Sequence, residues 1–177
     1  MIFSDDSLAL TSSYFRGAEV ELNSDRAYEP EIIALNGGGY VVVWKSGDNT
    51  VSGQLFDETG SKLDDAFTVN DASLSNSVVY PSADALADGG FVVAWQSHSG
   101  DNREVYARRY DIDGAAEQSF EINAEFSGDQ VRPAVIGTAG GGYTVSWGVN
   151  RDGNWDIFAQ QYDASNTPGV AFDVNRL

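Results

Sequence analysis

The sequence has no cysteine and a single histidine, His98. Without cysteine there is no disulfide, no thiol nucleophile and no cysteine-ligated zinc. One histidine cannot build a histidine-rich metal site within one chain. Basic residues are also scarce: 10 Lys and Arg stand against 27 Asp and Glu, a formal charge of −17. Such a chain has no basic surface with which to neutralise phosphates, which argues against nucleic acid as a partner. Anionic membranes are disfavoured on the same ground. A charge of this size repels itself in the compact state, and salt or bound cations relieve it. Long apolar runs are missing too. Stretches such as Tyr40-Val41-Val42-Val43-Trp44 are far too short to span a bilayer, so no membrane insertion is expected. The start, Met1-Ile2-Phe3-Ser4-Asp5-Asp6, has neither the basic nor the apolar region of a cleavable signal peptide. Export would need a signal not visible here, or the chain is a piece of something longer.

What is present is a repeat. A glycine turn followed by an aromatic strand occurs three times: Gly38-Gly39-Tyr40 to Trp44, Gly89-Gly90-Phe91 to Trp95, and Gly141-Gly142-Tyr143 to Trp147. The three tryptophans lie 51 and 52 residues apart. An aromatic-Asp pair follows each (Phe56-Asp57, Tyr110-Asp111, Tyr162-Asp163), and then an alternating strand ending in Asn70, Asn123 or Asn175. Pro30, Pro81 and Pro133 keep the same rhythm. Three landmarks in fixed order at one period of about 50 residues mark a tandem repeat.

Each unit reads as four short strands. Strand a follows the proline, b ends at the tryptophan, c leads to the aromatic-Asp pair, and d carries the Phe-x-Val-Asn type of ending. β-Branched and aromatic residues fill the strands, and Gly, Asp and Asn fill the turns. No amphipathic helix is expected, and short connections make an antiparallel meander the natural unit. The chain therefore reads as one all-β repeat domain of propeller-like blades. An N-terminal segment spans 1–27, unit 1 spans 28–70, unit 2 spans 71–123 and unit 3 spans 124–177. Val20-Glu21-Leu22-Asn23 is an extra copy of strand d ahead of unit 1. Three blades are too few to close a propeller, which typically needs 4–8. The alternatives are a homodimer closing a ring, a cut from a longer array, or threefold packing as in a β-trefoil or β-prism.

Gly89-Gly90-Phe91-Val92-Val93-Ala94-Trp95-Gln96-Ser97, then Val105-Tyr106-Ala107-Arg108-Arg109-Tyr110-Asp111, then Phe120-Glu121-Ile122-Asn123, resembles a tandem repeat of very large bacterial secreted proteins. These are the RTX-like and cadherin-rich adhesins exported by type I secretion. The resemblance covers nearly everything from Gly17 onward. It implies a secreted or cell-surface location, a propeller-like fold and often calcium, but no single activity. The calcium nonapeptide Gly-Gly-x-Gly-x-Asp is absent from this chain.

The repeat-invariant Trp44, Trp95 and Trp147 are expected in the core, and Asn23, Asn70, Asn123 and Asn175 on local backbone at strand ends. Calcium takes 6–8 oxygens, and short Asp-rich turns can supply some of them. The metal candidates are therefore Asp111 and Asp113 of the Asp-x-Asp-Gly turn, with Asp57 and Asp163 at the equivalent turns; ordinary turn-capping is the competing reading. Asp48, Asp101 and Asp152 offer further acceptors in the loops. Carboxylates are so numerous that no catalytic pair can be singled out, and no nucleophile motif or phosphate loop stands beside them. His98, between Ser97 and Ser99, reads as an exposed loop residue.

Trp155 breaks the repeat, because its equivalent in unit 2 is Arg103. It falls in the polar stretch 150–156, beside Asn154 and Asp156. An aromatic with Asn and Asp for neighbours suits sugar stacking or a protein contact, and local packing at the start of strand c is the competing reading. Trp155, Asn154, Asp156 and Arg103 are thus the ligand-binding candidates. The functional expectation is an extracellular binding or adhesion module for a glycan or protein. A structural spacer of a surface array, or a polysaccharide-active enzyme, stands as the alternative.

Overall fold

A computed structural model describes residues 26–47, 49–71, 77–99, 102–122, 127–151 and 153–175. The expected extra strand at Val20-Glu21-Leu22-Asn23, Asn123, and the loop carboxylates Asp48, Asp101 and Asp152 lie outside the described residues. Twelve strands form three separate four-stranded antiparallel sheets, and no helix occurs among the described residues. The first sheet is β1 (Ala27–Ala34), β2 (Tyr40–Ser46), β3 (Thr50–Phe56) and β4 (Lys62–Thr68). The second is β5 (Val78–Ala85), β6 (Phe91–Ser99), β7 (Asn102–Tyr110) and β8 (Phe120–Glu121). The third is β9 (Asp129–Gly137), β10 (Tyr143–Arg151), β11 (Asn154–Tyr162) and β12 (Phe172–Asp173). In each, spatial order equals chain order, which makes every sheet a blade-like meander.

The repeated motifs are the devices that hold each meander. In the glycine pairs, the first residue has φ of +95°, +95° and +86° at Gly38, Gly89 and Gly141. A Cβ on the second would lie 2.2 Å from the carbonyl oxygens of Phe56 and Tyr110, and 2.1 Å from that of Tyr162. Only glycine satisfies both demands. Each turn aspartate accepts two amides of its own turn through Oδ1. Asp57 takes those of Thr59 and Ser61, Asp111 those of Asp113 and Ala115, and Asp163 those of Ser165 and Thr167. The asparagine at the end of strand d ties it to strand c: the Val51 amide donates to Asn70 Oδ1 (2.8 Å) and the Ile157 amide to Asn175 Oδ1 (2.6 Å).

The sheets stack in chain order, β1 against β5 and β5 against β9. Period-2 alternation on strand b gives each sheet two faces. Val41 and Val43 of unit 1 pack on Phe91, Val93 and Trp95 of unit 2. Val92 and Ala94 of unit 2 pack on Tyr143, Val145 and Trp147 of unit 3. Stacked rings line the receiving face, Phe91 on Tyr110 and Tyr143 on Tyr162, and the phenylalanine of the preceding strand d seats against them. Trp44, Trp95 and Trp147 are 1–2% exposed. Asp71, directly after the Asn70 that ends unit 1, accepts from Arg108 (2.5 Å) and from the Ser119 hydroxyl within unit 2, and Arg109 donates to the Ala164 carbonyl (2.5 Å), tying unit 2 to unit 3. Those bonds hold the Asp71 carboxyl below its usual range, the Ser119 hydroxyl contributing most and Arg108 next. No hydrophobic cluster joins unit 1 to unit 3 among the described residues, so the packing is sequential stacking and not the threefold arrangement of a β-trefoil or β-prism.

Two expectations need correction. The a strands do not start after the proline; they begin before it and carry it inside, at a β-bulge. A bulge frees one residue from the ladder, so the missing proline N–H costs no hydrogen bond. The b–c hairpins are also longer and their loops shorter than the polar composition implies. His98 lies on β6 paired with Arg103, and Trp155 lies on β11 paired with Asn150, so neither is a loop residue. A two-residue connection lets polar residues stay in the ladder right up to the turn.

Candidate functional site

The three bulges aim three different side chains. Glu29, Tyr80 and Arg132, each directly before its proline, have φ of 53°, 56° and 52°. A non-glycine residue in this left-handed region costs roughly 1–3 kcal/mol, and bulges re-aim side chains near functional sites. The bulge amides are satisfied by the preceding unit: the Tyr80 amide donates to Glu29 Oε2 (2.6 Å) and the Arg132 amide to Gln96 Oε1 (3.2 Å). The Arg132 guanidinium stands 5.0 Å from the centre of the Tyr80 ring. Glu29, Tyr80 and Arg132, together with Glu31 and Ser82, line a groove of about 340 Å³ across all three a strands. Burial raises the Glu31 carboxyl above its usual range.

Two further clefts meet this groove at Arg132. One, of about 420 Å³, is lined by Val131, Arg132, Ser146, Gly148, Trp155 and Ile157. The other, of about 370 Å³, is lined by Tyr80, Gln96, His98 and Arg103, and again by Arg132 and Trp155. Trp155 is 52% exposed and Ile157 43%. The indole lies over Gly148, where an added Cβ would come 3.6 Å from Trp155 Cε3 and 3.3 Å from Val131 Cγ2. The equivalents of Gly148 are Lys45 and Gln96, and either side chain would occupy that space. A larger gap of about 970 Å³ separates the outer edges of units 2 and 3, where the two-residue strands β8 and β12 leave neighbouring edges apart.

The outward face of unit 3 differs in chemistry from its counterparts. Thr144 and Ser146 stand where unit 1 has Val41 and Val43 and unit 2 has Val92 and Ala94. Those four residues are buried against the next unit, whereas Thr144 and Ser146 are half-buried. Ser146, which lines the cleft with Trp155, thus offers a hydroxyl where the repeat is aliphatic.

Of the four sequence-derived ligand candidates, Trp155 and Arg103 line one cleft. Arg103 also pairs with Asp129, at 3.5 Å. Asn154 is exposed beside them without lining either cleft. Asp156 is 6% exposed. It sits one residue from Trp155 on a strand and so faces the buried side with Phe158, which removes it from the ligand set. The metal candidates Asp57, Asp111 and Asp163 cap turns in three different sheets, and Asp113 donates its amide to Asp111. Among the described residues no three metal-type side chains are gathered. Sequence reasoning missed Glu29, Tyr80, Arg132 and Gly148. The variation itself was readable, because each differs at a position whose neighbour is repeat-invariant, but where Glu29, Tyr80 and Arg132 stand depends on bulges that the sequence does not disclose.

A scan against protein-family models and a search of curated proteins found no match. Among solved structures, the chain is similar to an endo-1,4-beta-xylanase from Bacteroides thetaiotaomicron VPI-5482, with 10% identity and a TM-score of 0.59. The match covers 91% of this chain and 62% of that one, so this chain spans less than two thirds of its neighbour's length. At that identity the likeness is one of fold.

Proposed function

We propose that this chain is a carbohydrate-binding module of a secreted or surface protein, and that a sugar lies across the face of unit 3 on Trp155. The observation that carries the reading is the half-exposed indole laid on Gly148, with Ser146 and Arg132 lining the same cleft. A flat aromatic face beside hydroxyls and an arginine offers stacking for sugar C–H groups and hydrogen bonds for sugar hydroxyls. A bare spacer gives no reason for a half-exposed indole where unit 2 carries Arg103, and unit 3 has one. The fold neighbour described as a xylanase agrees with carbohydrate as the ligand class. Isothermal titration against a panel of plant and bacterial oligosaccharides tests this: wild type binds at least one, and Trp155→Ala loses that binding while keeping its fold. A panel with no binder refutes it.

An enzymatic reading draws on Glu29 and Glu31, which share the a-strand groove, and on the raised carboxyl of Glu31. Glycoside hydrolysis uses two carboxylates, one of them an acid with an elevated pKa. Glu29, however, already accepts the Tyr80 amide across the unit boundary. Release of reducing ends from a bound oligosaccharide, abolished by Glu31→Gln, would favour the enzyme over the binding module.

A further inference from the structure

The clefts around Trp155 carry an excess of positive charge in a strongly negative chain. Acidic residues outnumber Lys and Arg by 27 to 10, yet among the described residues no carboxylate lines either cleft, while Arg132 and Arg103 do. Arg132 is exposed, lines both clefts, and forms no ion pair with a carboxylate among the described residues. Its charge is instead placed over the Tyr80 ring, 5.0 Å away, which fixes the guanidinium without neutralising it. The backbone that delivers it is held in a left-handed bulge, φ 52°, with its amide bonded to Gln96. Arg103, Arg108 and Arg109 are each paired with aspartate instead, and Arg151 lies over the Phe158 ring at 4.9 Å.

We infer that the sugar bound on Trp155 is acidic, and that the Arg132 guanidinium receives its carboxylate. This rests on the carbohydrate reading above and adds to it the chemical class. A planar guanidinium matches a carboxylate with two parallel N–H···O bonds, and an arginine with no carboxylate of its own has those donors free for a ligand. A sugar ring stacked on Trp155 has Arg132 beside it in the same cleft, so stacking and charge pairing act on one residue of the ligand. Arg103, half neutralised by Asp129, and His98 line the continuing cleft, where a second acidic sugar would follow.

The test uses hexagalacturonate and the neutral xylohexaose, titrated calorimetrically at low and at physiological salt. Wild type binds hexagalacturonate at least tenfold more tightly than xylohexaose, and salt narrows that gap. Arg132→Gln brings the ratio of the two affinities close to one; Arg132→Lys, which keeps the charge and loses the planar fork, retains part of it. Melting curves establish that both variants are folded. Wild type binding xylohexaose as tightly as hexagalacturonate overturns the inference and leaves the carbohydrate reading standing. An acidic preference that Arg132→Gln does not change overturns the role of Arg132. No binding of either sugar overturns the inference, and with it the carbohydrate reading if the wider panel is also empty.

Discussion

Trp147 and Trp155 stand eight residues apart in one sheet, and replacing each by alanine separates folding from binding. Trp147 is 1% exposed, packs on Phe158 with ring centres 6.4 Å apart, and donates its Nε1 hydrogen to Gln130 Oε1 at 3.0 Å. Truncating such a side chain costs about 3–5 kcal/mol for transfer and cavity. Gln130 is 0% exposed, so its carbonyl loses its partner out of reach of water, adding roughly 1–3 kcal/mol. The sum is a large part of a total stability of about 5–15 kcal/mol. Trp155 is different because half of it is already in water. A fully buried aromatic removes some 150–250 Å² from solvent, so Trp155 buries about 100 Å². At about 25 cal/mol/Å² that is an upper limit near 2.5 kcal/mol. A compact unfolded chain and the part alanine retains bring it to about 1 kcal/mol. Urea unfolding followed by far-UV circular dichroism reads both variants on one scale, with slopes of about 1–3 kcal/mol/M. Trp155→Ala moves the midpoint by less than about 1 M, and Trp147→Ala moves it several-fold further or prevents folding. Equal midpoint shifts would make Trp155 a packing residue and remove the ground for a ligand face.

Two further outcomes are expected. Phe120 seats on Tyr162 of the next unit with ring centres 5.5 Å apart, whereas its equivalent Phe172 is 49% exposed with no unit to receive it among the described residues. Phe120→Ala therefore lowers stability by about 3–5 kcal/mol and Phe172→Ala by well under half of that, measured by the same unfolding curves; comparable losses would contradict sequential stacking. In alkali, burial pushes the Tyr110 and Tyr162 hydroxyls up to about 12 and raises that of Tyr143 as well. A raised folded pKa contributes stability that is complete below the unfolded value near 10 and is lost as pH climbs through the folded value. For Tyr110 that contribution is on the order of 3 kcal/mol. Ultraviolet titration then shows these three tyrosines ionising only above about pH 10, together with loss of β-sheet signal. A single step near pH 10 with the sheet intact would refute the burial.

Much of the fold was legible because the repeat encodes local devices. The glycine pairs, the turn aspartates, the terminal asparagines and the core tryptophans each recur, and each does one local task that composition and spacing disclose. The proline misled because a rule about central strands was applied without the bulge that suspends it. Polar residues next to a turn misled in the same way: His98 and Trp155 belong to strands because a two-residue connection leaves the ladder unbroken up to it. Asp156 could have been placed from sequence, since alternation from Phe158 and Tyr162 puts it on the inward face. Arg132 could not, because only the left-handed bulge and the Tyr80 ring of another unit decide where its charge stands.

The invariant positions of the repeat are occupied by folding, so a ligand can be served only where the units differ. Those differences gather in one region: Glu29, Tyr80 and Arg132 at the bulges, Gly148 in place of Lys45 and Gln96, and Trp155 in place of Arg103. A polar outer face serves solubility, and that alone would account for Thr144 and Ser146 in place of aliphatic residues. It does not account for Trp155. Solubility disfavours exposed apolar area, yet an indole, half in water, stands where unit 2 has Arg103, with a glycine beneath it to make room. Solubility and packing both disfavour that exchange. A ligand that needs a flat apolar surface beside hydroxyls and an unpaired guanidinium favours all of its parts at once.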